Sequence, residues 1–168
     1  MDGKLRNMTA IYLKKGDKFL MLYREGSKVI GNSYTGTAGG HFEKEELNDA
    51  RACVLRELYE ETGLKEENLK NLAMRYVTLR LKNNEIRQNY YFFAEMKEED
   101  EQINATRKIE SNEGKLQWVQ ERDLLELEMP FTAKEVICHY LDTGKDSGAV
   151  YGGVATKYGV IFTELEEF

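Results

Sequence analysis

The chain has 168 residues, 41% of them hydrophobic, and its 30 Asp and Glu against 24 Lys and Arg give a formal net charge of −6. That length buries a sizeable core and suits one domain spanning residues 1–168. The acidic balance excludes a general binder of nucleic-acid polymers, which needs a basic footprint, although bound cations can still bridge an acidic protein to a polyphosphate.

The opening Met1-Asp2-Gly3-Lys4-Leu5-Arg6 has no apolar stretch of signal-peptide type, and no run has the length of a membrane span. Cys53 and Cys138 are widely spaced and lack metal-ligand neighbours, which reads as free thiols in a reducing compartment. A cytoplasmic protein with no membrane partner is the expectation.

In chain order, Met8 to Leu13 and Phe19 to Tyr23 read as strands joined by the turn Lys14-Lys15-Gly16-Asp17-Lys18. Arg24 follows the second strand, then a polar loop runs from Ser27 to Thr37 and ends at Gly39-Gly40-His41. Asp49 is a good N-cap for a helix reaching about Thr62, with Val54, Leu55 and Leu58 as its apolar stripe and Gly63 closing it. Leu72 to Arg80 and Arg87 to Met96 form two further strands around Lys82-Asn83-Asn84-Glu85, the second carrying Tyr90, Tyr91, Phe92 and Phe93. Lys115 to Val119 is a short strand with the single Trp118, Glu121 to Leu127 a helical turn, and Thr132 to Leu141 a helix after Pro130. Tyr151 to Leu165 reads as a C-terminal hairpin turning near Lys157-Tyr158-Gly159. This order of elements is α+β in character.

The helix carries the chemistry in Arg56-Glu57-Leu58-Tyr59-Glu60-Glu61-Thr62-Gly63-Leu64. Glu57 is an i,i+3 neighbour of Glu60 and an i,i+4 neighbour of Glu61, so the three carboxylates share one side of the helix. Two carboxylates about 5 Å apart repel by roughly 3 kcal/mol at an effective dielectric near 20. A hard divalent cation is the simplest compensation, because oxygen ligands suit Mg²⁺ or Mn²⁺. The alternative is a solvated Glu-rich face with Arg56 paired to Glu60.

The stretch from Gly40 to Leu64 resembles the Nudix box: Gly, five residues, Glu, seven residues, then Arg-Glu-aliphatic-x-Glu-Glu-x-Gly-aliphatic. Arg56 to Leu64 matches at every specified position. The first half departs, because counting back eight from Arg56 gives Asn48 where the pattern has Glu, so the loop is two residues longer. Glu45 and Glu46 lie within that loop, and Glu46 keeps the family spacing from Gly40.

The resemblance implies a mixed β-sheet sandwiched between helices, with the C-terminal hairpin as an addition. It implies Mg²⁺ or Mn²⁺ held by Glu57, Glu60 and Glu61, with a backbone carbonyl at Gly39 and Glu46 completing the metal set. Arg56 orients one of these carboxylates, and Glu113, before the Trp118 strand, reaches the metals or acts as base. Arg24 and Tyr34 are candidate substrate contacts, for phosphate and base, with His41 a further phosphate candidate. The substrate implied by the MutT-like branch is a nucleoside triphosphate, including oxidised purines, cut to monophosphate and pyrophosphate. An ADP-sugar or dinucleoside polyphosphate remains open, as does a non-catalytic nucleotide sensor. The partner is thus a small nucleotide, and a homodimer is compatible with the chain.

Overall fold

The computed structural model describes residues 3–25, 32–97, 110–111 and 114–168. Its strands are β1 (Lys4–Lys15), β2 (Lys18–Arg24), β3 (Ser33–Thr35), β4 (Leu69–Lys82), β5 (Glu85–Met96), β6 (Glu110–Ser111), β7 (Gly114–Gln120), β8 (Tyr151–Ala155) and β9 (Val160–Glu164). The helices are α1 (Ala50–Thr62) and α2 (Phe131–Asp142). One sheet runs in the order β6-β7-β2-β1-β5-β4-β8-β9, with β3 added to β2. It is mixed: β1 is parallel to β5 and β4 to β8, and the remaining pairs are antiparallel.

Local signals explain the turns. Gly16 has φ of 58° between β1 and β2, and Asn83 and Asn84 have φ of 53° and 60° between β4 and β5. Two consecutive positive φ values match the twist of flanking strands in a tight hairpin, and Asn tolerates them. The C-terminal hairpin turns where the Thr156 N–H donates to Gly159 O at 2.8 Å.

β2 pairs with β1 only from Leu13↔Leu20 to Lys15↔Lys18, then turns away to pair with β3 and β7. Thr37, fully buried, holds the fork: its hydroxyl donates to Leu20 O at 2.6 Å and accepts from Leu13 N at 3.0 Å. Residues 37 to 41 then run along β1 in the vacated lane. Thr37 N donates to Ile11 O at 2.7 Å, Ile11 N to Ala38 O at 2.9 Å and Thr9 N to Gly40 O at 2.9 Å. The double glycine therefore lies in the middle of the sheet, short of α1.

Alternation along the strands gives two cores. Tyr12, Met21, Tyr91 and Phe93 face Val136, Ile137 and Tyr140 of α2, with Phe93 and Tyr140 stacked at 3.9 Å. Ile11, Leu13, Leu20, Phe92 and Ala94 face Val54 and Leu58 of α1. Helices on both faces match the expected sandwich. Leu55 is only half-buried, and Cys53 joins Val54 and Leu58 as the buried stripe. The aromatic run of β5 is mostly core: Tyr91, Phe92 and Phe93 are buried, and Tyr90 packs on Phe42. β1 and β4 are longer than expected, and β3 lies in the stretch read as polar loop. Among the described residues no helix is long and apolar enough to cross a membrane.

Helix α1 begins and ends as its sequence indicates. The Asp49 carboxylate accepts from Ala52 N at 2.9 Å, and Gly63, at φ of 74°, donates to Tyr59 O at 2.8 Å. Replacing Asp49 by Ala leaves that amide without its acceptor and is expected to cost about 1 kcal/mol. Urea unfolding should show a lower midpoint with an unchanged slope; an unchanged midpoint would mean the cap contributes nothing.

Candidate functional site

Arg56 is the centre of the acidic face. Its Nε donates to Glu46 Oε1 at 2.7 Å and one terminal nitrogen donates to Glu46 Oε2 at 2.9 Å and to the His41 carbonyl at 3.0 Å. The other terminal nitrogen donates to Glu57 Oε1 at 2.9 Å and to Glu60 Oε2 at 3.0 Å. A guanidinium has five N–H donors, and each has an acceptor here. These carboxylates raise the Arg56 pKa further, Glu46 most strongly.

Glu46 is the partner the sequence pattern left open. It is 8% exposed and caps its own turn, Lys44–Glu46, by accepting from Glu43 N at 3.0 Å. Glu45 and Asn48 are exposed. The two extra residues of the loop therefore fall after Glu46, between its turn and Asp49. Both Glu46 oxygens are engaged by the guanidinium fork of Arg56.

Gly39 and Gly40 permit two close approaches. A Cβ on Gly39 would lie 2.3 Å from Thr9 O and 2.8 Å from Ala10 Cα, both backbone atoms of β1. A Cβ on Gly40 would lie 2.2 to 2.5 Å from the carboxylate atoms of Glu57. So the Glu57 carboxylate rests directly on bare glycine backbone. Glu61 is half-buried one turn beyond Glu57, and Glu60 is exposed.

The donor set fits a hard divalent cation, since the side-chain ligands on this face are carboxylate oxygens and bare Gly40 lets the Glu57 carboxylate lie against the backbone. Among the described residues, however, no three such side chains already converge as a cage. Glu57 and Glu60 are turned onto Arg56 instead.

Burial pushes the Cys53 thiol up to about 11, and its sulfur lies 3.4 Å from Thr9 Oγ1, so it stays a thiol. His41 is lowered by burial and then by Arg6, whose guanidinium lies 2.8 Å from His41 Nε2, so at neutral pH it accepts that contact as a neutral ring. The His41 carbonyl accepts from Arg56.

Across the Gly39 backbone, on the α2 side of the sheet, lies a cavity of about 210 Å³. Arg24, Arg80, Arg87, Asn89, Thr132 and Gly39 are among its lining residues. Arg24 thus lines the same cavity as Gly39. Tyr34 is not among the lining residues: its ring packs on Tyr23 at 4.9 Å and its hydroxyl donates to Gln117 at 3.1 Å. Arg80 and Arg87 were missed, because only the β4–β5 register brings them together. Glu113 lies outside the described residues.

Two tests separate these roles. Gly39→Ala forces β1 backbone to move and is expected to destabilise the fold, whereas Gly40→Ala displaces only the Glu57 carboxylate and should leave the melting temperature nearly unchanged while weakening Mn²⁺ binding in titrations. Equal melting losses would contradict this division. Arg56 holds the Glu46 carboxyl down to about 2 from 4.5. A carboxyl with a depressed folded value stabilises above its unfolded value and loses that contribution as pH falls through the folded one. Glu46→Gln should therefore cost roughly 2 kcal/mol at pH 7 and show a shallower loss of stability than wild type between pH 4.5 and about 2. Parallel stability–pH curves would refute the pairing.

The comparisons with known proteins bear on the family and the fold. The family model for the NUDIX domain matches residues 4–140. No curated protein sequence matches significantly. Among solved structures, the chain is similar to a mutator MutT protein from Bacillus halodurans, at 22% identity and TM-score 0.62 over 96% of this chain and 95% of that one. It is also similar to a MutT protein from Methanosarcina mazei Go1, at 16% identity and TM-score 0.65 over 86% and 99%. A C. elegans Ap4A hydrolase, in a binary complex, gives 14% identity and TM-score 0.59 over 86% and 99%. These identities bear on the fold alone; with the family model covering residues 4–140, the chain belongs to the Nudix family.

Proposed function

We propose that this Nudix protein hydrolyses a nucleoside triphosphate, a purine or oxidised purine deoxynucleotide, to monophosphate and pyrophosphate. The observation that carries the reading is the acidic face of α1, braced by Arg56 and packed on Gly40, one glycine away from the arginine-lined cavity. Members of the family are hydrolases of pyrophosphate bonds and generally need a divalent metal. Bound Mg²⁺ or Mn²⁺ would neutralise the leaving phosphate and lower the pKa of the attacking water. Glu57, Glu60 and Glu61, with the Gly39 carbonyl, would hold it. Arg56 orients Glu57 and Glu60 through charge-assisted hydrogen bonds, and Glu46 in turn fixes the guanidinium. Arg24, among the residues lining the cavity, binds phosphate.

The ion pair between Glu46 and Arg56 favours catalysis over nucleotide sensing, because the departure at Asn48 then leaves no gap in the box. The neighbours named as MutT proteins and as an Ap4A hydrolase support, respectively, triphosphates and dinucleoside polyphosphates as the first substrates to try. ADP-sugars belong in the same panel.

Glu60→Gln or Glu61→Gln is expected to lower kcat at least about 10²-fold, near 3 kcal/mol, with the circular-dichroism spectrum unchanged. Full turnover in excess chelator would exclude the mechanism. Loss of Arg24 should raise KM more than it lowers kcat if its contact is equally strong in ground and transition states. Release of pyrophosphate from canonical and 8-oxo nucleotides supports the triphosphatase reading. Preferential cleavage of ADP-ribose to AMP and ribose phosphate would overturn that substrate while leaving the chemistry standing.

A further inference from the structure

The α2-side cavity has a charge pattern that a nucleoside alone does not explain. Arg80 and Arg87 sit directly opposite each other in the antiparallel β4–β5 pair, where like charges destabilise. Arg6 is the register partner of Arg87 on β1, so three arginines cross three adjacent strands at one level, and Arg24 reaches the same cavity from β2. Glu85 offsets part of this charge: its Oε1 lies 2.8 Å from Arg87 and 3.9 Å from Arg6. Among the described residues Arg80 forms no ion pair, and its guanidinium lies over the Phe131 ring at 5.7 Å. Among the described residues lining the cavity there is no Asp or Glu. A chain of net charge −6 has thus placed three arginines, Arg24, Arg80 and Arg87, around one cavity.

We propose that this cavity binds a second phosphate monoester of the substrate, remote from the diphosphate handled at the acidic helix. The guanidinium fork matches phosphate oxygens bidentately, and two forks facing each other across a strand pair match one dianion. A neutral base offers acceptors but no charge, so it would leave the repulsion of Arg80 and Arg87 in place. The cavity, at about 210 Å³, is below the ~300–1,000 Å³ of pockets that enclose drug-sized ligands and suits a compact group. Gly39 lies against Thr9 and Ala10, which pair with Tyr90 and Tyr91. Arg87 is three residues before Tyr90, roughly 10 Å along the strand, so one ligand can reach both places. The second phosphate belongs either to the ribose of the nucleotide or to the moiety beyond the diphosphate, so the substrate carries a group that a plain nucleoside triphosphate lacks.

This inference rests on the reading of the acidic helix as the place where a diphosphate is handled, not on the triphosphate as substrate, and it is tested without turnover. Calorimetry in chelator compares AMP with adenosine 3′,5′-bisphosphate and adenosine 2′,5′-bisphosphate, and ribose 5-phosphate with ribose 1,5-bisphosphate. In one of these sets the added phosphate should tighten binding at least about tenfold, and the gain should vanish in Arg80→Gln and be partly kept in Arg80→Lys. The set that responds identifies which side of the diphosphate carries the group. Arg87→Gln should behave like Arg80→Gln; if it fails to fold because Glu85 loses its partner, Arg80→Gln decides alone. No gain in either set, or a gain that survives Arg80→Gln, overturns the proposal. If triphosphates are hydrolysed normally in that case, the enzymatic reading stands without it. If no nucleotide is hydrolysed yet the gain persists, the cavity stands and the hydrolytic reading falls.

Discussion

The candidate site depends on one guanidinium. Arg56 ties the helix to two pieces of the preceding loop at once: the turn of Glu46 and the carbonyl of His41. Because all five donors are used, its plane is fixed. That plane sets where Glu57 and Glu60 point, and the Glu57 carboxylate in turn rests on Gly40. Most of this network is shielded from water: the side chains of Glu46, Glu57 and Arg56 are 10%, 14% and 22% exposed, whereas Glu60 is 56% exposed. The shielded pairs hold the geometry, and the Glu60 pair contributes little on its own because water screens it.

The fork between β1 and β2 explains why such a site exists in the middle of a sheet. Thr37 satisfies the backbone groups of both strands where they part, so the opening leaves no unpaired ladder groups at that point. The lane beside β1 is then filled by a segment carrying two glycines, whose backbone approaches β1 on one side and a carboxylate on the other. The result is an acidic helix face and an arginine-lined cavity, on opposite sides of the sheet and joined through a few residues of bare backbone.

The aromatic residues contribute differently from what their abundance suggests. Tyr12, Tyr76, Phe93, Tyr140 and Tyr151 form a connected cluster under α2 and the C-terminal hairpin. His139 joins it, accepting or donating with the Tyr76 hydroxyl at 2.9 Å, and burial lowers its pKa. These rings position α2, which closes the cavity with Thr132 and Ala133, but the charged groups lining the cavity are arginines.

The sequence by itself determined everything that a few consecutive residues can encode. Asp49 and Gly63 set the ends of α1, Gly16 and Asn83-Asn84 set two hairpins, and the spacing of Glu57, Glu60 and Glu61 placed three carboxylates on one helical side. Each of these acts through hydrogen bonds or dihedral preferences within about one turn of chain. Arg56-Glu57-x-x-Glu60-Glu61 was legible as a family signature for the same reason. Three matters needed the tertiary structure. Glu46, not Asn48, meets Arg56, because a loop can carry its extra residues on either side of a turn and only packing chooses. Tyr34 faces Tyr23 and Gln117, because its direction follows the pairing of β3 with β2, and β3 has no signal in its three residues. Arg24, Arg80 and Arg87 share one cavity, because they lie far apart in the chain and converge only when strand register is set by burial of alternating residues across the whole sheet.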